Sequence, residues 1–388
     1  MNVVFLSPHF PPNWYLFATA LRDQGANVLG IADAPYEELR PELREALTDY
    51  YQVHDMNDYD QLLRALAWFT HKHGKLDRLD SLNEWWLETE ARLRTDFNIP
   101  GINIGEIARM KRKSVMKRLF VRAGLTPGRG RVCRSAHAAR AFVEECGYPI
   151  VAKPDAGVGA AATYKLTSAE DLERYLSEKP SVDYILEEFL YGTLLTYDGM
   201  VNRRSEVVFG SSFYYSTGVM EAVNEDSDIW YCITRKVPPD VEAAGKAIVK
   251  TFRLKERPFH FEFFRLRDGS LVPLEINVRP PGGLTVDMFN AANDIDFYRG
   301  WAAMVVHGRW HETASRAYAC AYVGRKYRFA YKLGHEQVLR AFGDLVVAHT
   351  PMSGIFARAI GDFGYILRHP EEAKVTAAAR AIQAKVRG

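Results

Sequence analysis

The segment 258–283, PFHFEFFRLRDGSLVPLEINVRPPGG, constrains the fold of this chain more than any other. The pair Asp268-Gly269 stands between two β-prone runs, and this pattern predicts an antiparallel hairpin with a two-residue turn. Because successive side chains alternate between the two faces of a strand, such a turn places four polar side chains on one face. They form two cross-strand pairs, Glu262 with Glu275 and His260 with Asn277.

The two opposed glutamates of this hairpin repel each other unless a cation lies between them. The other face is the core side, with Phe261, Phe263, Leu274 and Ile276. A divalent cation would convert the repulsion between Glu262 and Glu275 into binding, with Asn277 as a further oxygen ligand. Hard oxygen ligands suit Mg²⁺ or Mn²⁺, and Mg²⁺ usually arrives with substrate phosphates. The alternative is an exposed polar face with solvated glutamates, and a turn of three residues would misalign the pair.

The charge of the chain is nearly balanced, with 50 Lys+Arg against 48 Asp+Glu among 388 residues. This balance predicts no large polyanionic partner. Ten of the basic residues, and no acid, stand in residues 109–134. That segment is compatible with a solvated helix face, with a nucleic-acid patch whose only interleaved aromatic residue is Phe120, or with a lysine supplied to a nucleotide phosphate.

The composition predicts a folded, cytoplasmic protein of two or three domains, since 47% of the residues are apolar and 25% are charged. The four cysteines have no CxxC or CxxH spacing, so neither a disulfide scaffold nor a structural zinc site is expected. The apolar run 3–6 is too short for a signal peptide, and no run approaches the ~18 apolar residues of a membrane span.

The first hundred residues alternate between strand-like and helical segments. Predicted strands span 3–6, 27–31 and 79–83, and predicted helices span 14–21 and 61–69. This order predicts a parallel sheet of Rossmann type. The first strand-to-helix turn, 7–13, lacks the glycines that bring a backbone close to a pyrophosphate, so dinucleotide binding is not predicted. Ser7, His9 and Glu84 stand at predicted strand ends, where α/β proteins bind ligands, and are candidate ligand contacts.

A second, compact α/β unit follows the basic segment. Its predicted helices are 136–146 and 169–177, capped by Ser135 and Ser168, and its predicted strands are 150–153, 163–166 and 183–189. Lys153 ends an apolar strand and precedes the small-residue loop 155–162, whose backbone N–H groups can face phosphate oxygens. Such a loop also fits a purely structural turn, and it is not a Walker A motif because no helix opens with Gly-Lys-Ser/Thr.

The run Ile185-Leu-Glu-Glu-Phe-Leu190 breaks the alternation expected of a strand. Its backbone carbonyls and a carboxylate could receive an adenine amino group, with Phe189 and Leu190 on either side of the ring. A strand that runs out into solvent explains the same run equally well.

Taken in this order, the motifs resemble the ATP-grasp superfamily, and more narrowly its carboxylate–amine (amino-acid) ligases, from about residue 83 to about residue 310. The resemblance implies an α/β fold with an N-terminal Rossmann-like parallel sheet over 1–105. It further implies a two-part α+β ATP-grasp domain over 106–310, with a mobile lid at about 127–190. Residues 311–388 are expected to complete that domain or to add a small C-terminal subdomain.

The same resemblance implies roles for individual residues. The expected catalytic residues are Arg279, at the transferring phosphoryl group and the acyl phosphate, and Lys153, at the α- and β-phosphates. The expected nucleotide contacts are Lys113, Lys153, Glu187, Glu188, Phe189 and Leu190, and the expected metal ligands are Glu262, Glu275 and Asn277. Thr193 and Leu194 stand where relatives often have an acid for the ribose hydroxyls, so ribose contact is expected from elsewhere, such as Asp198.

The implied activity is that of an ATP-dependent ligase. It would phosphorylate a substrate carboxylate to an acyl phosphate and couple it to an amine, giving an amide or peptide bond with ADP and phosphate. ATP and Mg²⁺ (or Mn²⁺) are the expected cofactors, and a small-molecule carboxylate and amine are the expected partners, with no nucleic acid and no membrane; a homodimer stays open. The alternatives are carboxylation in the manner of biotin carboxylase, an ATP-binding module without catalysis, and a nucleic-acid binder based on 109–134. His260 is either an aid to proton transfer or a structural residue of the hairpin.

Overall fold

The computed structural model describes residues 1–157, 162–218, 222, 226–352 and 354–386. Part of the predicted phosphate loop, residues 158–161, lies outside these residues. The strands are β1 Asn2–Leu6, β2 Asn27–Ala32, β3 Asp49–Gln52, β4 Arg78–Asp80, β5 Gly130–Val132, β6 Ile150–Pro154, β7 Tyr164–Leu166, β8 Tyr184–Glu188, β9 Gly192–Val201, β10 Val207–Ser211, β11 Phe213–Tyr215, β12 Trp230–Ile233, β13 Arg257–Leu266, β14 Leu271–Asn277, β15 Ala319–Arg325, β16 Val346–Pro351 and β17 Phe363–His369. The helices are α1 Tyr15–Asp23, α2 Pro41–Ala46, α3 Tyr59–His73, α4 Leu87–Asp96, α5 Ala108–Lys111, α6 Lys113–Arg122, α7 Ala136–Cys146, α8 Ala169–Glu178, α9 Pro239–Phe252, α10 Thr285–Asn293, α11 Phe297–His307, α12 His335–Phe342, α13 Gly354–Ile360 and α14 Glu372–Ile382.

The N-terminal sheet is parallel, with the strand order β3-β2-β1-β4. All five residues of β1 are buried, which is typical of a parallel strand covered on both faces. The predicted Rossmann-type sheet is confirmed. Strand β3 was not predicted because its residues DYYQ form neither an apolar run nor a clear alternation. The strand predicted over 79–83 is shorter than expected, since Leu82 takes a positive φ of 54° and Asn83 caps a 3₁₀ turn.

A small antiparallel sheet of order β5-β8-β6-β7 carries helices α7 and α8. Its core contains Phe142, Leu172 and Tyr184. The predicted caps of both helices are confirmed, because Ser135 and Ser168 each accept a hydrogen bond from a backbone N–H in the first helical turn.

The largest sheet has nine strands in the order β14-β13-β9-β11-β12-β15-β17-β16, with β10 paired to β9 at the side. Helices α6 and α9 pack on one part of this sheet through an apolar cluster that includes Phe120, Ile248 and Phe259. Helix α1 of the N-terminal unit packs against α10, α11 and the sheet through Phe17, Phe289 and Trp301. The C-terminal strands β15, β16 and β17 therefore lie in the same sheet as the β13–β14 hairpin.

The hairpin has the predicted pairs of polar residues, but a longer turn and a bulge, rather than a two-residue turn, produce this register. The structure pairs Glu262 with Glu275 and His260 with Asn277. The turn has three residues rather than two, because Leu266 pairs with Ser270 around the residues 267–269. The prediction of a two-residue turn is wrong. A bulge at Leu274 compensates, since Phe263 pairs with Pro273 while Glu262 pairs with Glu275.

No helix in the described part of the chain is long and apolar enough to cross a membrane.

Candidate active site

Two expected nucleotide lysines are brought together by Asp155, which the sequence analysis did not single out. Helix α6 starts at Lys113, and its next residue, Ser114, donates through its backbone N–H and its hydroxyl to the Asp155 carboxylate, at 2.8 and 3.0 Å. The Lys113 N–H donates to the Asp155 carbonyl oxygen at 2.9 Å. Because Asp155 directly follows β6, which carries Lys153, the start of α6 is attached to the end of that strand. The only sequence signal for Asp155 is its position two residues after Lys153.

The carboxylate of Glu187 lies between two lysines. Its Oε2 is 2.6 Å from Lys153 Nζ, and its Oε1 is 2.7 Å from Lys117 Nζ. Burial by itself would raise the pKa of Glu187, but the two ammonium groups outweigh it and lower the pKa to about 2. The Glu187 side chain is therefore ionised, and it pairs with Lys153 of the small sheet and Lys117 of α6. Lys117 was not among the residues expected from the sequence. An adenine contact by Glu187 stays a prediction.

The other expected adenine residues lie where the small sheet meets the large one. Strand β8 ends at Glu188, whose carboxylate accepts from the backbone N–H and Nε of Arg129 at 2.6 and 2.8 Å. The ring of Phe189 has Lys165 Nζ 4.3 Å from its centroid. Leu190 is half-buried ahead of β9. These contacts leave the adenine assignment of all three residues a prediction.

The expected metal ligands share one face of the hairpin. The side chains of Glu262 and Glu275 are 20% and 16% exposed, and Lys113 Nζ lies 3.6 Å from Glu275 Oε1. Burial, together with the charges of Glu84 and Glu262, raises the pKa of Glu275 despite the two lysines nearby. A cation bound next to this carboxylate would stabilise its ionised form.

The donor set of this face fits a divalent cation that brings further oxygen ligands with it. Within the described ranges, no group of three or more His, Cys, Asp or Glu residues is arranged to hold a metal ion. Two carboxylates and one amide make an open set of hard oxygen donors, which is how proteins usually bind Mg²⁺ alongside phosphates. The set fits Mg²⁺ in that role and does not form an all-protein cage.

His260 lies between the buried carboxylate of Asp198 and Glu262, one of the expected metal ligands. Its Nδ1 lies 2.6 Å from Asp198 Oδ1, and its Nε2 lies 3.3 Å from Glu262 Oε1. Burial alone would lower the pKa of His260, but Asp198 and Glu262 raise it to about 9. The imidazole is therefore protonated at neutral pH and donates to both carboxylates.

The ribose contact suggested for Asp198 is not supported by the structure. Asp198 has no exposed surface, and its carboxylate also accepts from the hydroxyl of Thr196. It lies opposite His260 in the β9–β13 ladder, so the sheet register explains its burial. Its role is to balance the charge of His260.

Arg279 is held by Glu84, one of the three candidate ligand contacts. Arg279 Nη2 donates to Glu84 Oε2 at 2.9 Å, and the Asn277 amide nitrogen, in the orientation that satisfies its neighbours, donates to the same oxygen at 2.8 Å. Ser7 and His9 lie at the carboxyl end of β1, and burial lowers the pKa of His9 although Asp33 opposes this. The structure thus joins Glu84 to the expected catalytic arginine.

Comparison with known proteins agrees with this geometry. No family model matches the chain. The L-arginine-specific L-amino acid ligase of Bacillus subtilis is 23% identical over 274 residues, covering 64% of this chain and 64% of that protein. The carbamoyl phosphate synthase large chain of Pasteurella multocida is 23% identical over 203 residues, covering 50% of this chain and 19% of that protein. The chain thus matches less than two thirds of the length of either relative.

Solved structures define the fold. The L-amino acid ligase from Bacillus licheniformis superposes with a TM-score of 0.75 at 15% identity, covering 98% of this chain and 96% of that one. The N5-carboxyaminoimidazole synthetase from Staphylococcus aureus gives a TM-score of 0.74 at 12% identity, with 98% and 97% covered. The chain has the ATP-grasp fold, and both the predicted fold class and the resemblance to ATP-grasp ligases are confirmed.

Proposed function

We propose that this protein is an ATP-dependent carboxylate–amine ligase. The observation that carries the proposal is the convergence of three cations on the opposed carboxylates of the hairpin. Lys113 Nζ lies 3.6 Å from Glu275 Oε1. Lys153 and Arg279 form ion pairs with Glu187 and Glu84, and their charges also favour the ionised forms of Glu275 and Glu262, respectively. Opposite charges gathered on one partly exposed face suit a metal–nucleotide complex better than they suit a structural contact. The likeness to proteins described as amino acid ligases supports the same function.

In the proposed reaction, an oxygen of the substrate carboxylate attacks the γ-phosphorus of ATP, and the bond to ADP breaks. The amine nitrogen then attacks the acyl carbon, loses a proton and expels phosphate. Lys153 and Lys113 bind the nucleotide phosphates, and Arg279 stabilises the transferring phosphoryl group and the acyl phosphate. No protein nucleophile is required, since positioning and fixed charge account for most of the rate of phosphoryl transfer.

Glu262, Glu275 and Asn277 would hold the Mg²⁺ that accompanies ATP. When bound, the metal neutralises charge between the nucleotide and the acceptor. In the protein, Lys113 and Lys153 offset the charge of Glu275, and the imidazolium of His260 orients Glu262.

We infer the domain division from the sheets. The small sheet, from β5 to β8, would be the lid within 127–190 and would shield the acyl phosphate from water when it closes. Residues 1–105 would form the N-terminal domain, 106–310 the ATP-grasp domain, and 311–388 its completion. A cytoplasmic location is proposed from the four cysteines, all of which are free in the structure.

The test is a phosphate-release screen over carboxylates and amines, with product masses recorded. With the active substrates, Glu275→Gln should lower ADP formation by at least about 100-fold, because the variant loses a metal ligand. Glu37→Gln, at an exposed glutamate, is the control and should leave the rate unchanged. Circular dichroism would verify that both variants are folded.

Three results would contradict the proposal. Wild-type turnover by Glu275→Gln would remove the metal assignment. Bicarbonate-dependent ATP turnover without an amine would indicate carboxylation instead. Nucleotide binding without turnover on any substrate would indicate a non-catalytic module.

A further inference from the structure

Two arginines and two carboxylates form a buried network between the N-terminal sheet and the large sheet. Arg94 of α4 donates to Asp80 Oδ1 at 2.8 Å and to Glu90 Oε2 at 2.6 Å. Arg257, the first residue of β13, donates to the same two oxygens at 2.8 and 2.9 Å. Arg94 and Arg257 are only 2% and 5% exposed, and the four formal charges cancel.

Both arginines also donate to backbone carbonyls. Arg94 donates to Leu79 and Ile102, which lie away from the expected metal ligands, whereas Arg257 donates next to one of them. Its Nε donates to the carbonyl oxygen of Val278 at 2.6 Å. Val278 lies between Asn277, an expected metal ligand, and Arg279, the expected catalytic arginine. The guanidinium of Arg257 therefore uses all three of its nitrogens. It joins the backbone of residues 277–279, here called the reacting segment, to the carboxylates of Asp80 and Glu90.

The residues between β4 and α4, which include Glu84, hold the reacting segment from a second side. Glu84 stands between Asp80 and Glu90 in the chain, and its carboxylate accepts from Arg279 and from the Asn277 amide. The residues on both sides of Val278 are thus held by Glu84, while Val278 itself is held by Arg257.

Stability alone does not explain such a network. Burying four charges costs as much free energy as the pairing returns, and apolar residues of the same volume often stabilise a protein as well. What the network adds is an attachment of the backbone at Val278, through Arg257, to Asp80 and Glu90. Small displacements of groups that bind a metal or a reacting phosphoryl group reduce binding and rate strongly.

We propose that Arg257 is a positioning residue that sets the directions of Asn277 and Arg279 from the N-terminal unit. This inference rests on the proposed function of that segment. Through Asp80 and Glu90, which hold Arg257, it assigns to the N-terminal unit a part in Mg²⁺-nucleotide binding.

The test compares Arg257→Lys with Arg94→Lys. Each variant keeps the positive charge in the network, but a lysine cannot reach three acceptors, so only Arg257→Lys releases Val278. The measurement is the affinity for ADP by calorimetry, with and without Mg²⁺, which requires no carboxylate or amine substrate. Arg257→Lys should reduce the Mg²⁺-dependent gain in ADP affinity about 10-fold and leave the affinity for ADP alone unchanged. Arg94→Lys should lower the melting temperature similarly and keep the wild-type gain.

An equal loss of the Mg²⁺-dependent gain in both variants would overturn the proposal, and so would a wild-type gain in Arg257→Lys. If the wild-type protein itself shows no Mg²⁺-dependent gain, the proposed function fails first, and the inference fails with it. Should Arg257→Lys not fold, Glu90→Gln replaces it, because the amide keeps an acceptor oxygen but weakens the hold on both arginines. Arg94→Lys then shows how much of any effect comes from Arg94. Glu90→Gln should lose about 3-fold of the gain, and a wild-type value would contradict the inference.

Discussion

Several side chains of this site are held in place by residues that lie far away in the chain. Lys153, Glu262 and Glu275 could be predicted from the sequence because each stands in a local pattern, a strand end or a hairpin face. Lys117 and Arg257 could not, because their partners are about 70 and 170 residues distant. No periodicity in the sequence reports a contact of that range, since it depends on how two separately formed elements pack.

The acid stability of the small sheet should depend on Glu187. Its pKa falls from 4.5 to about 2 on folding, so its contribution is complete above pH 4.5 and is lost as the pH falls toward 2. Glu187→Gln should therefore lower the free energy of unfolding by about 3 kcal/mol at pH 7, and by less than half of that at pH 3. Urea unfolding at the two pH values measures this.

The matched control for that experiment is Glu173→Gln. Glu173 pairs with Arg140 at the surface of the same unit, with both side chains about half exposed. Solvent screens such a pair, so its loss should change stability little at either pH. A pH-independent effect of Glu187→Gln would contradict the charge balance assigned to it.

Among the elements, the β13–β14 hairpin shows why sequence patterns can identify a pairing and still misjudge the backbone. The Asp-Gly pair correctly indicates a tight turn, but Gly269, with a φ of 86°, ends a three-residue loop. The extra residue of the turn is offset by the bulge at Leu274, so the glutamates remain opposite each other. Bulges have no sequence pattern of their own, so the register of this hairpin could not be derived from the turn residues alone.

Changing the length of this hairpin by one residue should have opposite results at two positions. Insertion of an alanine between Leu274 and Glu275 shifts Glu275 and Asn277 by one position along β13 and turns them to the other face, because one residue of slip exchanges the faces of a strand. Mg²⁺-dependent ADP binding, measured by calorimetry, should be lost. Deletion of the exposed Arg267 shortens the turn to Asp268-Gly269 and keeps every pairing, so it should leave binding intact. Equal binding by the two variants would show that the spacing between the bulge and Glu275 does not determine which face Glu275 occupies.

On the scale of the whole molecule, the small sheet is joined to α6 by polar contacts of Lys113, Ser114 and Lys117. Helix α6 packs on the large sheet through the apolar residues Met116 and Phe120. The polar contacts are the Lys117–Glu187 ion pair and the hydrogen bonds of Lys113 and Ser114 to Asp155. Polar contacts of this kind let one unit turn against another more readily than an apolar interface does.

Binding of ADP with Mg²⁺ should therefore slow hydrogen exchange in β6 and β8, because the nucleotide would join the small sheet to the hairpin. Strand β16 is the internal control, since it lies at the far edge of the large sheet and is largely exposed. Its exchange should not change. Equal slowing in β16, or none in β6 and β8, would argue against closure of the small sheet as a lid.

The strand order of the large sheet has a consequence for how the protein is made. β12 pairs with β15, and residues 234–318, which separate them, comprise 85 residues. At ribosomal speeds of 5–20 residues per second, one edge of β12 stays uncovered for roughly 4 to 17 s after its own synthesis. During that interval the nascent chain exposes an apolar, unpaired strand edge, and the large sheet can be completed only when β15, β16 and β17 have left the ribosome.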